Sequence, residues 1–384
     1  MPQLAASGSY AGGMADSPSS RSAAPGPERL DLAASSVDIT RQICDIDSVS
    51  GTEKRLADAI EASLADAAHL ELIRHGNCVV ARTRLGRAQR VVIAGHIDTV
   101  PVNANLPTRF ETVEGHDYLW GRGTVDMKAG VAVQLKLAAE LAEPRVDVTW
   151  MWYDNEEVSS ELNGLGLLAA DRPDLFEGDF AILGEPSNGQ VEGGCNGTLR
   201  IELRTRGLRA HSARAWVGDN AIHKLGPVLD TLAAYVPREV EVEGLVYREG
   251  LNAVGISGGV AGNVIPDEAM VQINYRFAPS RSVAEATAHM HELFPDYEIL
   301  VVDAAEGARP GLDAPIARNF VAAVGAEPRP KYGWTDVARF SALGIPAVNF
   351  GPGNPLKAHA DDERVPLKQI TDGERALRAW LSGH

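Results

Sequence analysis

Five short segments carry side chains that together could do hydrolytic chemistry. They are Gly95-His96-Ile97-Asp98, Val125-Asp126, Asp154-Asn155-Glu156-Glu157, Gly184-Glu185-Pro186 and Ala358-His359. Taken singly, each has a plain structural explanation. A lone Asp before a helix is usually an N-cap. A lone His after a strand is usually a hydrogen-bonded structural residue, and adjacent glutamates are usually a solvated pair. Glu156 and Glu157, however, directly follow the apolar run Trp150, Met151, Trp152 and Tyr153. No Lys or Arg lies within five residues on either side of them. An unpaired buried charge is costly, so a metal ion is their natural counter-charge. Imidazole and carboxylate ligands without thiolate suit zinc, or cobalt and manganese as substitutes. The pair His96 and His359 with Asp126, Glu157 and Glu185 is too many ligands for one catalytic zinc. It suits two metals about 3.5–4 Å apart that share a carboxylate and a water.

Such residues converge only if the chain places them on one edge. The apolar runs 91–94, 146–153, 180–183 and 345–350 read as buried strands. Helical spacing appears over 53–67 (Leu56, Ala59, Ile60, Leu64) and over 127–141 (Val131, Val133, Leu135, Leu137). Apolar strands alternating with helices predict an α/β fold, a sheet covered by helices on both faces. Four of the five segments then sit at strand carboxyl ends, where open α/β sheets form their sites. The pattern changes near Gly194. Leu199, Ile201 and Leu203 alternate with polar residues, as do Val271, Ile273, Tyr275 and Phe277. Strands with one wet face, with helices expected over 220–235 and 283–293, predict a smaller α+β domain with an antiparallel sheet. The α/β character returns near Gly311 and ends in a helix over 370–381, so the second domain reads as an insertion. The expected division is 32–194 with 309–384 for the first domain and 195–308 for the insert.

Composition narrows the partners. The net charge of -16 argues against nucleic acid or an anionic membrane. No run of about 18 apolar residues is present to cross a bilayer. Cys44, Cys78 and Cys195 offer no disulfide framework, fit a reducing compartment and read as small buried apolar residues. That places the chain in the cytoplasm. Residues 1–31 are rich in Ala, Gly, Ser and Pro and are expected to be disordered.

The ordered set His96-x-Asp98, the Gly-x-Gly-x-x-Asp ending at Asp126, Glu156-Glu157, Glu185 and the late His359 resembles the dinuclear zinc amidohydrolases of the M20 peptidase family. The resemblance spans residues 36–383. It implies a mixed-sheet catalytic domain and an inserted lid and dimerisation domain. It implies that Asp126 bridges two Zn²⁺, with His96 and Glu185 completing one site and Glu157 and His359 the other. Asp98 is then the hydrogen-bond partner that fixes the tautomer of His96, and Glu156 the general base. A cis peptide after the bridging aspartate, at Asp126–Met127, is also expected. In the insert, Arg209-Ala210-His211-Ser212 resembles the family's lid motif, which implies that His211 reaches a partner subunit's site and that the protein is a homodimer. Asn263 and Arg276 match positions that bind substrate carboxylate, a task suited to bidentate Arg. Two departures stand out on the substrate side: Cys195-Asn196 where a basic pair is common, and Gly333-Trp334-Thr335-Asp336 where Gly-Thr-Ser-Asp is common.

The activity implied is hydrolysis of the succinyl amide of N-succinyl-LL-2,6-diaminopimelate to succinate and LL-2,6-diaminopimelate, with a hydroxide held between the metals as the nucleophile. Two rivals stand beside it. One is a relative acting on acetylornithine, another small N-acyl amino acid or a peptide carboxyl end. The other is a non-catalytic, metal-stabilised dimeric binding protein, which would have no need of Glu156.

Overall fold

Burial alternates along the central strands in the way a two-faced sheet requires. Val91, Ile93, Val148, Trp150 and Trp152 enter one core, while Val92, Ala94, Met151 and Tyr153 enter another on the opposite face. The computed structural model describes residues 28–383. Its main sheet has eight strands. Their order is Glu71–His75, Cys78–Arg82, Asp147–Tyr153, Arg90–His96, Phe180–Leu183, Ala347–Asn349, Glu192–Gly193 and Arg329–Pro330. The four strands at its centre are mutually parallel, and the strand next to them on each side joins antiparallel, so the sheet is mixed.

Helix Lys128–Glu140 packs on one face with Ser36–Cys44 and Leu367–Ser382. Gly164–Asp171 and Val337–Ala342 cover the other, through Leu165, Leu168, Val337 and Phe340. A second sheet has four antiparallel strands in the order Gly250–Gly258, Glu268–Phe277, Gly197–Arg206 and Glu298–Ala305. Its inner face packs Leu199, Ile201, Leu203, Val271 and Ile273 against Ala286 and Met290 of helix Val283–Leu293. A third, three-stranded sheet joins Arg109–Val113, His116–Trp120 and Arg364–Pro366.

Two expectations need correction. Disorder was expected through residue 31, yet the described residues 28–31 dock on helix Lys54–Leu64: Leu30 is buried and its N–H donates to Ser63 Oγ at 2.7 Å. Residues 1–27 lie outside the described part. The single helix expected over 220–235 is instead a 3₁₀ turn, His223–Leu225, running into Gly226–Ala233. Gly226-Pro227 at the junction is the local reason, since Pro favours the first turn of a new helix.

One close approach fixes the helix on the sheet edge. A Cβ at Gly130 would lie 2.2 Å from the carbonyl oxygen of Gly184, and a Cβ at Gly351 would meet the same atom at 2.2 Å. Both residues must stay bare for the Gly184-Glu185 segment to pass between them. Gly130→Ala should therefore cost about 1–3 kcal/mol through overpacking. The check is a lower urea midpoint at unchanged m-value.

Candidate metal centre

Strand register brings the chemistry to one level. His96 pairs with Tyr153, Ala94 with Leu183, and Asn349 with Leu183. The chain leaving each of these strands therefore starts from the same edge. His96 ends its own strand, Glu156 and Glu157 follow Tyr153, Glu185 follows Leu183, and His359 lies in the loop beyond Asn349. Asp126 stands just before helix Lys128–Glu140, and the Asp126–Met127 peptide is cis as expected.

The two oxygens of Asp126 face different imidazoles. Oδ1 lies 3.2 Å from His96 Nε2 and Oδ2 lies 3.3 Å from His359 Nε2. His359 Nε2 is also 3.0 Å from Glu157 Oε1. Ligand atoms of His96, Asp126 and Glu157 all fall within 4.8 Å of one another. Glu185 is buried and lines one cleft of about 730 Å³ together with Asp126, Glu156, Glu157 and His359.

Buried carboxylates outside this set hold it in place. Asp98 accepts from the backbone N–H of Glu156 at 3.0 Å and of Glu157 at 3.1 Å, and from Ser50 Oγ at 2.7 Å. His96 Nδ1 lies 3.4 Å from its Oδ1. Asp98 thus links the ends of two strands as well as orienting an imidazole. Glu53 accepts from Gly51 N at 2.8 Å and Asn155 N at 3.3 Å, just where Asn155 turns with a positive φ of 59°. Lys331 pairs with Glu192 at 2.9 Å and donates to Pro186 O at 3.2 Å, beside Glu185. None of Ser50, Glu53 or Lys331 carries a local signal in the sequence. Each lies far along the chain from the residue it supports.

The electrostatics describe anions gathered without enough cations. Burial pushes the Glu185 carboxyl up to about 8, and the charge of Asp126 adds to that. Burial also drives Glu156 well above the carboxylate range; His96 opposes the shift, while Asp336, Glu185 and Glu157 reinforce it. The imidazoles respond in the opposite sense. Hydrogen bonds to Asp126 and Glu157 raise His359 to about 10. Burial works against charge on His96, yet Asp126 and Asp98 outweigh it and hold the ring well above its ordinary value. The donor set fits divalent cations. The imidazoles of His96 and His359 stand against the carboxylates of Asp126 and Glu157, Glu185 lines the same cleft, and the ammonium of Lys331 is already committed to Glu192.

The substrate-side candidates divide. Arg276 lines an adjacent chamber of about 680 Å³ that also contains Glu156, Glu157 and Trp334. Trp334 stands between the two spaces, lining both. His211 and Asn263 are exposed and sit beside each other, with Ser212 N donating to Asn263 O at 2.9 Å. Neither lines the cleft or the chamber of its own chain.

A strand-edge cluster of this kind on a mixed sheet with an antiparallel insert defines a metallohydrolase architecture, and residues 92–382 match peptidase family M20/M25/M40. The chain belongs to that family. It is 56% identical over 357 residues to a Mycobacterium tuberculosis protein provisionally named succinyl-diaminopimelate desuccinylase DapE, covering 92% of this chain and 100% of that one. It is 48% identical to the succinyl-diaminopimelate desuccinylase of Corynebacterium glutamicum, covering 92% of this chain and 98% of that one. In fold it is similar to a Staphylococcus aureus tripeptidase, with a TM-score of 0.73 at 20% identity over 90% of this chain and 97% of that one. It is also similar to the Bacillus subtilis YXEP protein, described as a dinuclear metal-binding M20 peptidase, with a TM-score of 0.66 at 16% identity over 90% and 96%.

The charge imbalance generates a direct expectation. Stripping divalent cations with a chelator should lower the melting temperature, and zinc at about 1,000 times its Kd should restore about 4 kcal/mol. Equal melting temperatures with and without the chelator and zinc would count against a metal centre here.

Proposed function

We propose that this chain is a metal-dependent amidohydrolase that cleaves the succinyl amide of N-succinyl-LL-2,6-diaminopimelate with water, giving succinate and LL-2,6-diaminopimelate. The observation that carries the substrate is the 56% and 48% identity, over nearly the whole of both relatives, to proteins named for that reaction. The place of this step is in lysine and diaminopimelate biosynthesis. Three buried, unpaired thiols fit the reducing cytoplasm.

Asp126, with one oxygen toward each imidazole, is suited to bridge two zinc ions. His96 and Glu185 would complete one site, Glu157 and His359 the other. Bound there, the metals supply Lewis-acid polarisation of the amide carbonyl and a lowered water pKa. The remaining work falls to side chains. Glu156 takes a proton from the attacking water and delivers it to the amide nitrogen, so that the amine can leave. Burial lifts the Glu156 carboxyl well above the usual range, and cations bound beside it would draw it back down. Asp98 keeps His96 and the Glu156-Glu157 turn in register.

Arg276 makes no ion pair among the described residues; its Nε donates to Asn274 Oδ1 at 3.1 Å. That leaves the guanidinium available to a substrate carboxylate in the chamber beside Glu156. His211 and Asn263 are exposed and line neither the cleft nor the chamber of their own chain, which supports their acting on the cleft of a second subunit in a homodimer. Exposed Val254 and Ile256 on the edge strand Gly250–Gly258 support the same arrangement.

Glu156→Gln should lower turnover by about 10²–10⁴-fold while zinc content stays at the wild-type value. Near-normal turnover would remove Glu156 from its role. Purified zinc-loaded protein should release succinate from N-succinyl-LL-2,6-diaminopimelate faster than it releases acetate from N-acetylornithine. A panel in which no succinate appears would overturn the substrate assignment.

A further inference from the structure

The three-stranded sheet has a consequence for the metal centre. Strand His116–Trp120 pairs antiparallel with Arg364–Pro366, with Trp120 opposite Arg364. That pairing sets Arg122, just after the first strand, against Glu363, just before the second. Arg122 Nη1 lies 2.8 Å from Glu363 Oε2, and both side chains are almost wholly buried, at 4% and 1% exposure.

Each partner also holds the backbone of one proposed ligand. Glu363 Oε1 accepts from Val125 N at 2.9 Å and from Asp126 N at 3.2 Å. Arg122 reaches the carbonyl of His359 with Nη2 and of Ala360 with Nη1, both at 3.4 Å. Gly121 N donates to Glu363 O at 3.0 Å and closes the unit. His359 needs such a hold. Its φ of 64° lies in the left-handed region. For a residue with a Cβ that conformation costs about 1–3 kcal/mol and persists only where the surroundings over-determine it.

We infer that Arg122 and Glu363 are positioning residues for the metal centre: their buried ion pair joins the Asp126 turn and the His359 loop, over two hundred residues apart in sequence, into one preformed half of the site. This rests on the metal reading above. Neither residue touches substrate. The pair acts by fixing where the oxygens of Asp126 and the ring of His359 stand before a metal arrives. Its counterpart is Asp98, whose buried carboxylate holds the Glu156-Glu157 turn in the same way, while its backbone carbonyl lies 3.1 Å from His96 Nδ1.

Cobalt(II) titration of the metal-free full chain, followed by visible absorption, separates positioning from general stability. Thermal melts run in parallel. The comparison set is wild type, Glu363→Gln, Arg122→Met and Arg122→Lys. Asp147→Asn serves as a control, because Asp147 is a buried hub at the other end of the sheet, bonded to Thr83, Leu85 and Arg87. Glu363→Gln and Arg122→Met should weaken cobalt binding by about 10- to 100-fold, the usual cost of losing a partner that orients a ligand. Arg122→Lys, which keeps a cation against Glu363, should recover part of that loss. Asp147→Asn should lower the melting temperature and leave cobalt affinity at the wild-type value. If Arg122→Met does not fold, the order wild type, Arg122→Lys, Glu363→Gln in falling affinity still decides. Glu363→Gln and Arg122→Lys with reduced melting temperatures but wild-type cobalt affinities would overturn the inference and leave the metal reading intact. A wild type that takes up no cobalt would overturn the metal reading itself, and the clamp with it.

Discussion

A carboxylate taken out of water must find positive charge, and this fold gathers four of them where almost none is supplied. Asp126, Glu156, Glu157 and Glu185 meet at the carboxyl edge of the central parallel strands. Among the described residues, two imidazoles stand against them, and the ammonium of Lys331 beside Glu185 is already paired with Glu192. Removing one partner from a buried charge typically costs about 3–5 kcal/mol. An arrangement this unbalanced is therefore stable only with cations added or protons retained. The raised carboxyls of Glu156 and Glu185, together with the raised imidazoles, are how the protein alone meets that demand. Divalent metals meet it better, because they match the donor chemistry and the convergence of the side chains.

Much of the surrounding structure follows from keeping that cluster together. Parallel strands in tight register deliver His96, the Glu156-Glu157 turn and Glu185 to one level. Bare glycines at 130, 184 and 351 let the helix after Asp126 and the loop toward His359 close over the Glu185 segment. Two buried carboxylates, Asp98 and Glu363, then bind the backbones of the ligand-bearing turns from opposite sides. The four-stranded antiparallel sheet has a core of its own and contributes Arg276 to the chamber beside the cluster. The acidic cluster and Arg276 therefore come from different parts of the chain.

The sequence made the strand ends legible because their signals are local. An apolar run ending in Gly95-His96, or in Asp154-Asn155-Glu156-Glu157, states both a buried strand and an acidic or imidazole terminus within a few residues. The helix Val283–Leu293 was legible to the residue, since Ser282 and Glu285 form a capping box at its start. What could not be read is what depends on distant pairing. Arg122 is an unassigned position within the Gly-x-Gly-x-x-Asp run that ends at Asp126, and Glu363 reads as one more acid after Asp361 and Asp362. Their meeting needs the register of Trp120 opposite Arg364. Glu53 and Lys331 were invisible for the same reason. The docking of residues 28–31 depends on Ser63 in a helix some thirty residues on, a contact that composition does not encode.

On the proposed reading, these side chains hold two metals with Asp126 between them. Anomalous diffraction at the zinc edge from crystals of the zinc-loaded protein tests it most directly. Two peaks about 3.5–4 Å apart are expected, each about 2.0–2.2 Å from its ligands. One should touch His96 and Glu185, the other Glu157 and His359, with Asp126 reaching both. A single peak, or a pair of peaks that does not share Asp126, would contradict it.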